Sequence, residues 1–504
     1  MPSPVSSTLR LMAAGWVLIR HDALIPREIE PLLPPPVRMV GRTLRLFSGA
    51  AAREGRPGQR LASAFTLLGP VAIKLGQVLA TRADIFGLQF ANDLGHLKDR
   101  LPAFPVEVAR AEVERALDRK IETLFVSFEP AIAAASIAQA HPAVLLDGRK
   151  VAVKVLRPGV ERRVAADVAA MRLAAGLAYR FEEGRRLEAI QFVETVARSL
   201  ELELDLRLEA AAASELGEVM AKDNYMTAPA VVWEAVAKRV LVLEWVKGKP
   251  LSDPKTIEQP GFDRHALADN VVRAFLSQAL DHGVFHADLH EGNLFAEAPA
   301  KLHAVDFGII GRLGAMERRF LAEILWGFLQ RDYRRVAQVH FDAGYVPKHH
   351  SVEAFAQALR AVGEPVAGRK ASEVSMGRLL ALLFEITAVF DMHLRPELVL
   401  LQKTMASVEG VARRIETDHD LWSAARPVVE RWITREISPL SRARRLADQG
   451  ARIVDGLTRW AEHPEPAPQT VIIERGGGGG VWTGLAVGLS AGALVVALIA
   501  LAVR

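Results

Sequence analysis

Apolar and polar positions along the chain change rhythm several times, and each change marks an element. Residues 61–125 follow a helical rhythm: Leu61-Ala62-Ser63-Ala64-Phe65-Thr66-Leu67-Leu68 runs into the break Gly69-Pro70, and a second apolar helix starts at Val71. Phe125-Val126-Ser127-Phe128 then alternates. Val151-Ala152-Val153-Lys154-Val155-Leu156 reads as a short apolar strand with one lysine, closed by Arg157-Pro158-Gly159. Residues 160–220 hold no proline and are rich in Ala, Glu, Leu and Arg, which predicts helix. Strands return over 229–246 and end in Val240-Leu241-Val242-Leu243-Glu244-Trp245-Val246, followed by the turn-like Lys247-Gly248-Lys249-Pro250. From 263 to about 460 the helical period dominates, interrupted by loops over His286–Gly314. No internal repeat is visible. The expected architecture is α+β, with a strand-rich small lobe, a connector and a helical large lobe.

Two departures from this pattern carry information. Lys74, Gln77 and Thr81 share one face of an otherwise apolar helix, and buried polar groups need partners. From Val481 to Val503 no residue is charged, and as a helix this run would span roughly 34 Å against a bilayer core of about 30 Å. Gly484, Gly488 and Gly492 fall on one face of that helix, where small residues let two backbones approach, so a homodimer through the tail is expected. A linker with Pro464, Pro466, Pro468 and five glycines, Gly476–Gly480, precedes it. Arg475 precedes the run and the basic bulk of the chain comes before it, which predicts a single C-terminal span in the inner membrane with the folded part cytoplasmic.

Composition sharpens the picture in three places. The 504 residues are 50% apolar, enough for a sizeable core in two or three domains or one two-lobed domain with extensions. Lys+Arg 63 against Asp+Glu 59 leaves +4, which does not suggest nucleic acid. The chain has no cysteine, which excludes disulfides, iron–sulfur ligation and a thiol nucleophile. Charge is uneven: residues 1–60 hold nine Arg, no Lys and four acidic residues, a pattern equally suited to a solvated basic extension or to an anionic membrane surface.

The candidate chemistry lies in the interrupting loops. His286-Ala287-Asp288-Leu289-His290-Glu291-Gly292-Asn293 puts an Asp and an Asn five positions apart, and Asp306 follows in Val305-Asp306-Phe307-Gly308. One carboxylate to orient a nucleophile, with an Asn and an Asp for Mg2+, is the layout of a phosphoryl-transfer site. Asp288 is the expected catalytic residue, and Asn293 and Asp306 the expected metal ligands. A transition-metal site on His286, Asp288 and His290 is the weaker alternative, because no further His cluster lies nearby. Gly308–Gly314 has the wrong spacing for a dinucleotide fingerprint and reads as a flexible segment after the metal-binding Asp. Lys154 is expected at the ATP phosphates. The acidic helix Leu200–Ala210, with Glu203, Asp205 and Glu209, offers partners for its ammonium. Glu244 and Val246, where the last small-lobe strand meets the connector, complete the expected ATP-binding set.

These residues resemble the UbiB family of atypical protein-kinase-like proteins, bacterial relatives of the mitochondrial coenzyme Q kinase-like proteins, over roughly residues 60–450. Lys74-Leu75-Gly76-Gln77 is similar to the family's KxGQ signature, with Lys74, Gly76 and Gln77 as regulatory positions. Ala133-Ala134-Ala135-Ser136 resembles the alanine-rich loop that replaces a kinase's glycine-rich loop, and Glu203-Leu204-Asp205 resembles the ExD motif. The resemblance implies that Glu203 is the partner of Lys154, with Glu209 a further match. Ala212 and Ala213 stand where relatives often carry Asn, and one C-terminal apolar run stands where bacterial members often have two.

The implied plan is a two-lobed protein-kinase-like fold. It comprises a basic amphipathic extension (1–60), a helical KxGQ extension (61–125), an N-lobe with a helical insert (126–246), a helical C-lobe (247–455), a linker (456–480) and a transmembrane helix (481–504). The implied function is Mg-ATP binding with ATP hydrolysis in support of ubiquinone biosynthesis. The expected partners are membrane lipids, hydrophobic quinone precursors and ubiquinone-biosynthesis enzymes. The alternatives are a phosphotransferase acting on a small hydroxylated molecule or on protein Ser/Thr, and a nucleotide-gated scaffold. The KxGQ helices are implied to cover the place where a kinase would seat its peptide.

Overall fold

The computed structural model describes residues 4–28, 35–53, 55–80, 88–95, 102–180, 188–365, 386, 389–392 and 396–437, all within the unit Met1–Ser438. The linker and the apolar run at 481–503 lie outside the described residues. Among the described residues no helix is long and apolar enough to cross a membrane.

Among the described residues six α-helices come first: α1 (Pro4–Arg20), α2 (Pro35–Arg45), α3 (Pro57–Leu68), α4 (Pro70–Ala80), α5 (Leu88–Gly95) and α6 (Val106–Leu117). Pro57 and Pro70 stand at first helical positions, where proline's missing N–H costs nothing. Gly69, at φ 98°, closes α3 by donating its N–H to the Phe65 carbonyl.

The small lobe is an antiparallel sheet of β1 (Phe125–Phe128), β2 (Ala133–Ala134), β3 (Ala138–Leu145), β4 (Lys150–Leu156) and β5 (Val240–Glu244). Its order is β1-β3-β4-β5, with β2 also paired to β3. Period-2 alternation sorts the faces. Val151, Val153 and Val155 pack with Val240, Val242 and the α6 residues Ala109 and Val113 in one core. Lys154, opposite Ala140 and Leu241, points to the other face.

Between β4 and β5 lie α7 (Val160–Ala178), α8 (Ala189–Glu203) and α9 (Leu206–Asp223). The acidic stretch Leu200–Ala210 is therefore not one helix. Asp205 is the N-cap of α9: its side chain accepts from the Arg207 N–H and also binds the Arg207 guanidinium at 2.8 and 2.6 Å. The break lets Leu204 and Leu206 both be buried while Leu202 and Leu208 stay exposed.

The large lobe contains β6 (Lys249–Pro250), α10 (Lys255–Glu258), α11 (Arg264–Ser277), β7 (Val284–His286), β8 (Leu294–Glu297), β9 (Lys301–Ala304), β10 (Ile310–Arg312), α12 (Ala315–Gln330), α13 (Tyr333–Asp342), α14 (Val352–Gly363), α15 (Pro396–Ile415) and α16 (Leu421–Ile437). The stretch expected as loops holds four short strands. β8 pairs with β6 and β9, and β10 pairs with β7, so the glycine-rich segment after Asp306 is partly an ordered strand. Gly311 sits there because a Cβ would fall 2.1 Å from the Phe285 ring. The principal core, from Val71 through Leu216 and Phe275 to Trp432, underlies both lobes.

Candidate active site

Strand β7 delivers the Asp288 loop, which four backbone contacts hold in place. The Ala287 N–H donates to the Ile309 carbonyl at 3.1 Å. Two hydroxyls on α15 donate into the loop from the other side, Thr404 to the Ala287 carbonyl at 3.0 Å and Ser407 to the Leu289 carbonyl at 2.7 Å. The Asn293 side-chain nitrogen donates to the Asp288 carbonyl at 3.1 Å, which directs its amide oxygen to act as the free acceptor. Buried Leu289 and Leu294 anchor the ends of the loop. A five-residue π-helix, Gln278–His282, precedes β7, and the Gln278 side chain accepts from the His286 N–H at 3.0 Å.

His286 is structural. It is fully buried, its Nδ1 accepts from the Asp288 N–H at 3.1 Å, and its Nε2 faces the Val305 carbonyl at 3.2 Å. With both nitrogens engaged and burial pushing its pKa down, it is a neutral imidazole with no lone pair for a metal, so the transition-metal reading of this loop fails. His290 lies 3.6 Å from the Asp288 carboxylate. Burial acts to raise the Asp288 pKa, but His290 and then Lys403 outweigh it and hold it below the ordinary value; Asp288 in turn raises His290. Asp288 is therefore ionised at neutral pH.

Lys154 reaches across from β4. Its Nζ lies 2.7 and 2.9 Å from the two Glu209 oxygens and 3.2 Å from Asp306 Oδ1. Burial disfavours its ammonium, yet Asp306 and Glu209 raise its pKa above the usual lysine range, and Lys154 lowers that of Asp306. The partner of Lys154 is thus Glu209 and not Glu203. Glu203, the last residue of α8, is paired with Lys74 of α4. The helix break at Asp205 separates the two: Glu203 faces α4, whereas Glu209, one turn into α9, faces β4. Asp306 has φ 62°, a left-handed conformation that a non-glycine residue adopts only under local constraint. The Gly308 N–H donates to its carboxylate at 3.4 Å.

The other expected positions are placed as follows. Ala133–Ser136 spans β2 and the start of the tight β2–β3 connection, closed by the Ala135 N–H donating to the Ala138 carbonyl at 2.8 Å and braced by Arg157 on the Ala135 carbonyl at 2.9 Å. Glu244 ends β5 and its carboxylate is engaged by Arg149 at 3.0 Å; its N–H donates to the Ala230 carbonyl at 2.9 Å. The Trp245 N–H donates to the Lys150 carbonyl at 2.9 Å, and Val246 is half-buried. Gly76 is buried in α4 and Gln77 half-buried beside it. Asp205 serves the α9 cap. Thr404, Ser407 and Lys403 were not read from the sequence. Their only signal is two hydroxyls three apart on the apolar face of α15, a pattern indistinguishable from ordinary core-edge polarity.

A strand lysine locked to a helix glutamate, facing a carboxylate held just before a glycine and beside a pinned Asp–Asn loop, defines a protein-kinase-like protein. The ABC1 atypical kinase-like domain matches residues 96–340 and the UbiB helical domain residues 359–420. The chain is 38% identical over 470 residues to the probable protein kinase UbiB of Marinobacter nauticus, covering 92% of this chain and 84% of that one. It is 38% identical over 479 residues to the protein of the same name from Pseudomonas aeruginosa, covering 91% and 90%. The solved structure of Rv3197 with erythromycin from Mycobacterium tuberculosis has a TM-score of 0.52 and 21% identity over 78% of this chain and 97% of that one, and shares the fold. The chain belongs to the UbiB family of atypical kinase-like proteins.

Proposed function

We propose that this protein binds Mg-ATP and hydrolyses it in support of ubiquinone biosynthesis, acting on or presenting hydrophobic quinone precursors at the membrane. The observation that carries the nucleotide reading is the Lys154–Glu209–Asp306 cluster: a half-buried ammonium with two carboxylates at 2.7–3.2 Å, one of them, Asp306, half-exposed. Lys154 is charged and fixed, so it suits the α/β-phosphates. The oxygen donors of Asn293 and Asp306, with Asp306 ionised, fit the preference of Mg2+ for oxygen ligands, and the ion would neutralise charge on the phosphates. Asp288, ionised and held by the loop, is suited to orient a water or hydroxyl and accept its proton. Ala133–Ser136 would cover the phosphates, and the Glu244–Val246 backbone would border the adenine.

Membership of the UbiB family supports the link to ubiquinone. The run at 481–503 supports a single inner-membrane span with the folded unit cytoplasmic, and its glycine face a homodimer; membrane lipids and ubiquinone-biosynthesis enzymes are the corresponding partners. The Lys74–Glu203 pair sets the KxGQ helix against the α8–α9 junction beside the site, which favours water or a small lipid over a peptide as acceptor. The test is the fate of labelled γ-phosphate with a phenolic lipid analogue present. Release as inorganic phosphate, cut about 100-fold or more in Asp288→Asn with ATP binding retained, is expected. Faster transfer to the analogue than to water would instead mark a phosphotransferase, and an unchanged Asp288→Asn rate would overturn the role of Asp288. A strain lacking the protein should accumulate an early prenylated phenol; an unaltered quinone profile would overturn the pathway.

A further inference from the structure

The N-terminal helices α1 and α2 present an apolar face that no described residue buries. Val5, Leu9, Met12 and Trp16 recur at i, i+4, i+7 and i+11, one face of α1, and each is at least 50% exposed. The opposite side of α1 is committed: Ser7 is buried and Arg10 pairs with Asp167 of α7. Trp16 lies 6.0 Å, centroid to centroid, from Phe47 just after α2, which joins the stripe to the exposed Leu46 and Phe47. Met39 and Val40 on α2 are exposed as well. Large apolar patches of this kind mark interaction surfaces.

The charge around the patch identifies the occupant. Neither helix contains an Asp or Glu, while together they carry Arg10, Arg20, Arg38, Arg42 and Arg45. Of the nearest described acidic residues, one is buried and the other is ion-paired at the surface. Asp22 is buried, with Arg60 at 3.4 Å, Arg27 at 3.4 Å and Arg45 at 3.6 Å, and Glu28 is held by Arg60 at 2.7 Å. Arg20 and Arg42 stay exposed. An apolar stripe with a tryptophan at its basic border, on two helices that carry arginines and no carboxylate, matches an interfacial helix lying in an anionic bilayer surface.

We propose that the joint α1–α2 face is a membrane-docking surface that inserts into the headgroup region of an anionic leaflet, independently of the run at 481–503. Because α1 packs on α7 and α3, and α3 on α4, docking there would seat the helix carrying Lys74 near the bilayer, on the side from which lipid precursors arrive.

The absence of cysteine makes the test direct. Met12→Cys in the full chain, labelled with an environment-sensitive NBD dye, is placed one copy per nanodisc of phosphatidylglycerol with phosphatidylcholine, of phosphatidylcholine alone, or in amphipol without lipid. Leu146→Cys supplies the solvent-exposed reference. The expected result is a blue-shifted dye at position 12, quenched by a lipid-borne quencher, in the anionic nanodisc only. Adding Arg20→Glu and Arg42→Glu should weaken that shielding about tenfold while the urea midpoint is kept. A dye that stays water-like in the anionic nanodisc overturns the proposal. So does equal shielding in phosphatidylcholine alone, which removes the charge argument, or in amphipol, which assigns the face to the chain's own apolar run or to a second copy.

Discussion

Lys74 and Lys154 are two largely buried ammonium groups a helix junction apart, and each has its own carboxylate. Removing one charge of such a pair strands the other, which costs more than the pair itself contributes. Glu203→Gln should therefore destabilise the protein by about 1–3 kcal/mol in urea unfolding, and adding Lys74→Met should recover part of that loss. No recovery would mean that the two side chains do not depend on each other. Acidity gives a second test. Asp288 raises the His290 pKa in the folded state, so this contact stabilises fully below the unfolded value of about 6.5 and is lost as pH rises through the folded value. The stability difference between wild type and His290→Asn should shrink from pH 5.5 to pH 8.5; a difference independent of pH would contradict the contact. Asp288, Asn293, Asp306 and Lys154 were legible in the sequence because loop and strand spacing fix them. The partner of Lys154 was not. Leu200–Glu209 alternates leucine with charge, a period that neither helix nor break declares, and only the Asp205 cap decides which glutamate faces which lysine.

At the scale of elements, the site depends on parts too short to announce themselves. Strands β7 to β10 have three or four residues each, below the length at which alternation is readable, so the region read as loop. The longer helices and β1, β4 and β5 followed the pattern of apolar positions closely. α15 acts on the site through two hydroxyls. Thr404→Val and Ser407→Ala should each cost about 1 kcal/mol of stability and together lower turnover while the KM for ATP changes little, since they position the loop and touch no nucleotide. A rise in KM with unchanged kcat would contradict that role. Gly311→Ala should destabilise by about 1–3 kcal/mol, because the new methyl meets the Phe285 ring, and Phe285→Leu in the same chain should relieve part of it.

At the scale of the whole folded unit, the principal core runs beneath both lobes, and Lys154 of β4, Glu209 of α9 and Asp306 after β9 meet in one cluster beside the Asp288–Asn293 loop. The KxGQ helix is tied to Glu203, while the proposed nucleotide site is built on a separate cluster through Glu209. That division of labour between two glutamates six residues apart is the central claim. Equilibrium binding of Mg-ATP to wild type, Glu209→Gln and Glu203→Gln tests it most directly. Loss of the Lys154 partner should weaken binding by about tenfold or more, roughly 1.4 kcal/mol, whereas Glu203→Gln should stay within about threefold of wild type even though it is less stable. Weak binding by Glu203→Gln with wild-type affinity in Glu209→Gln would contradict the account.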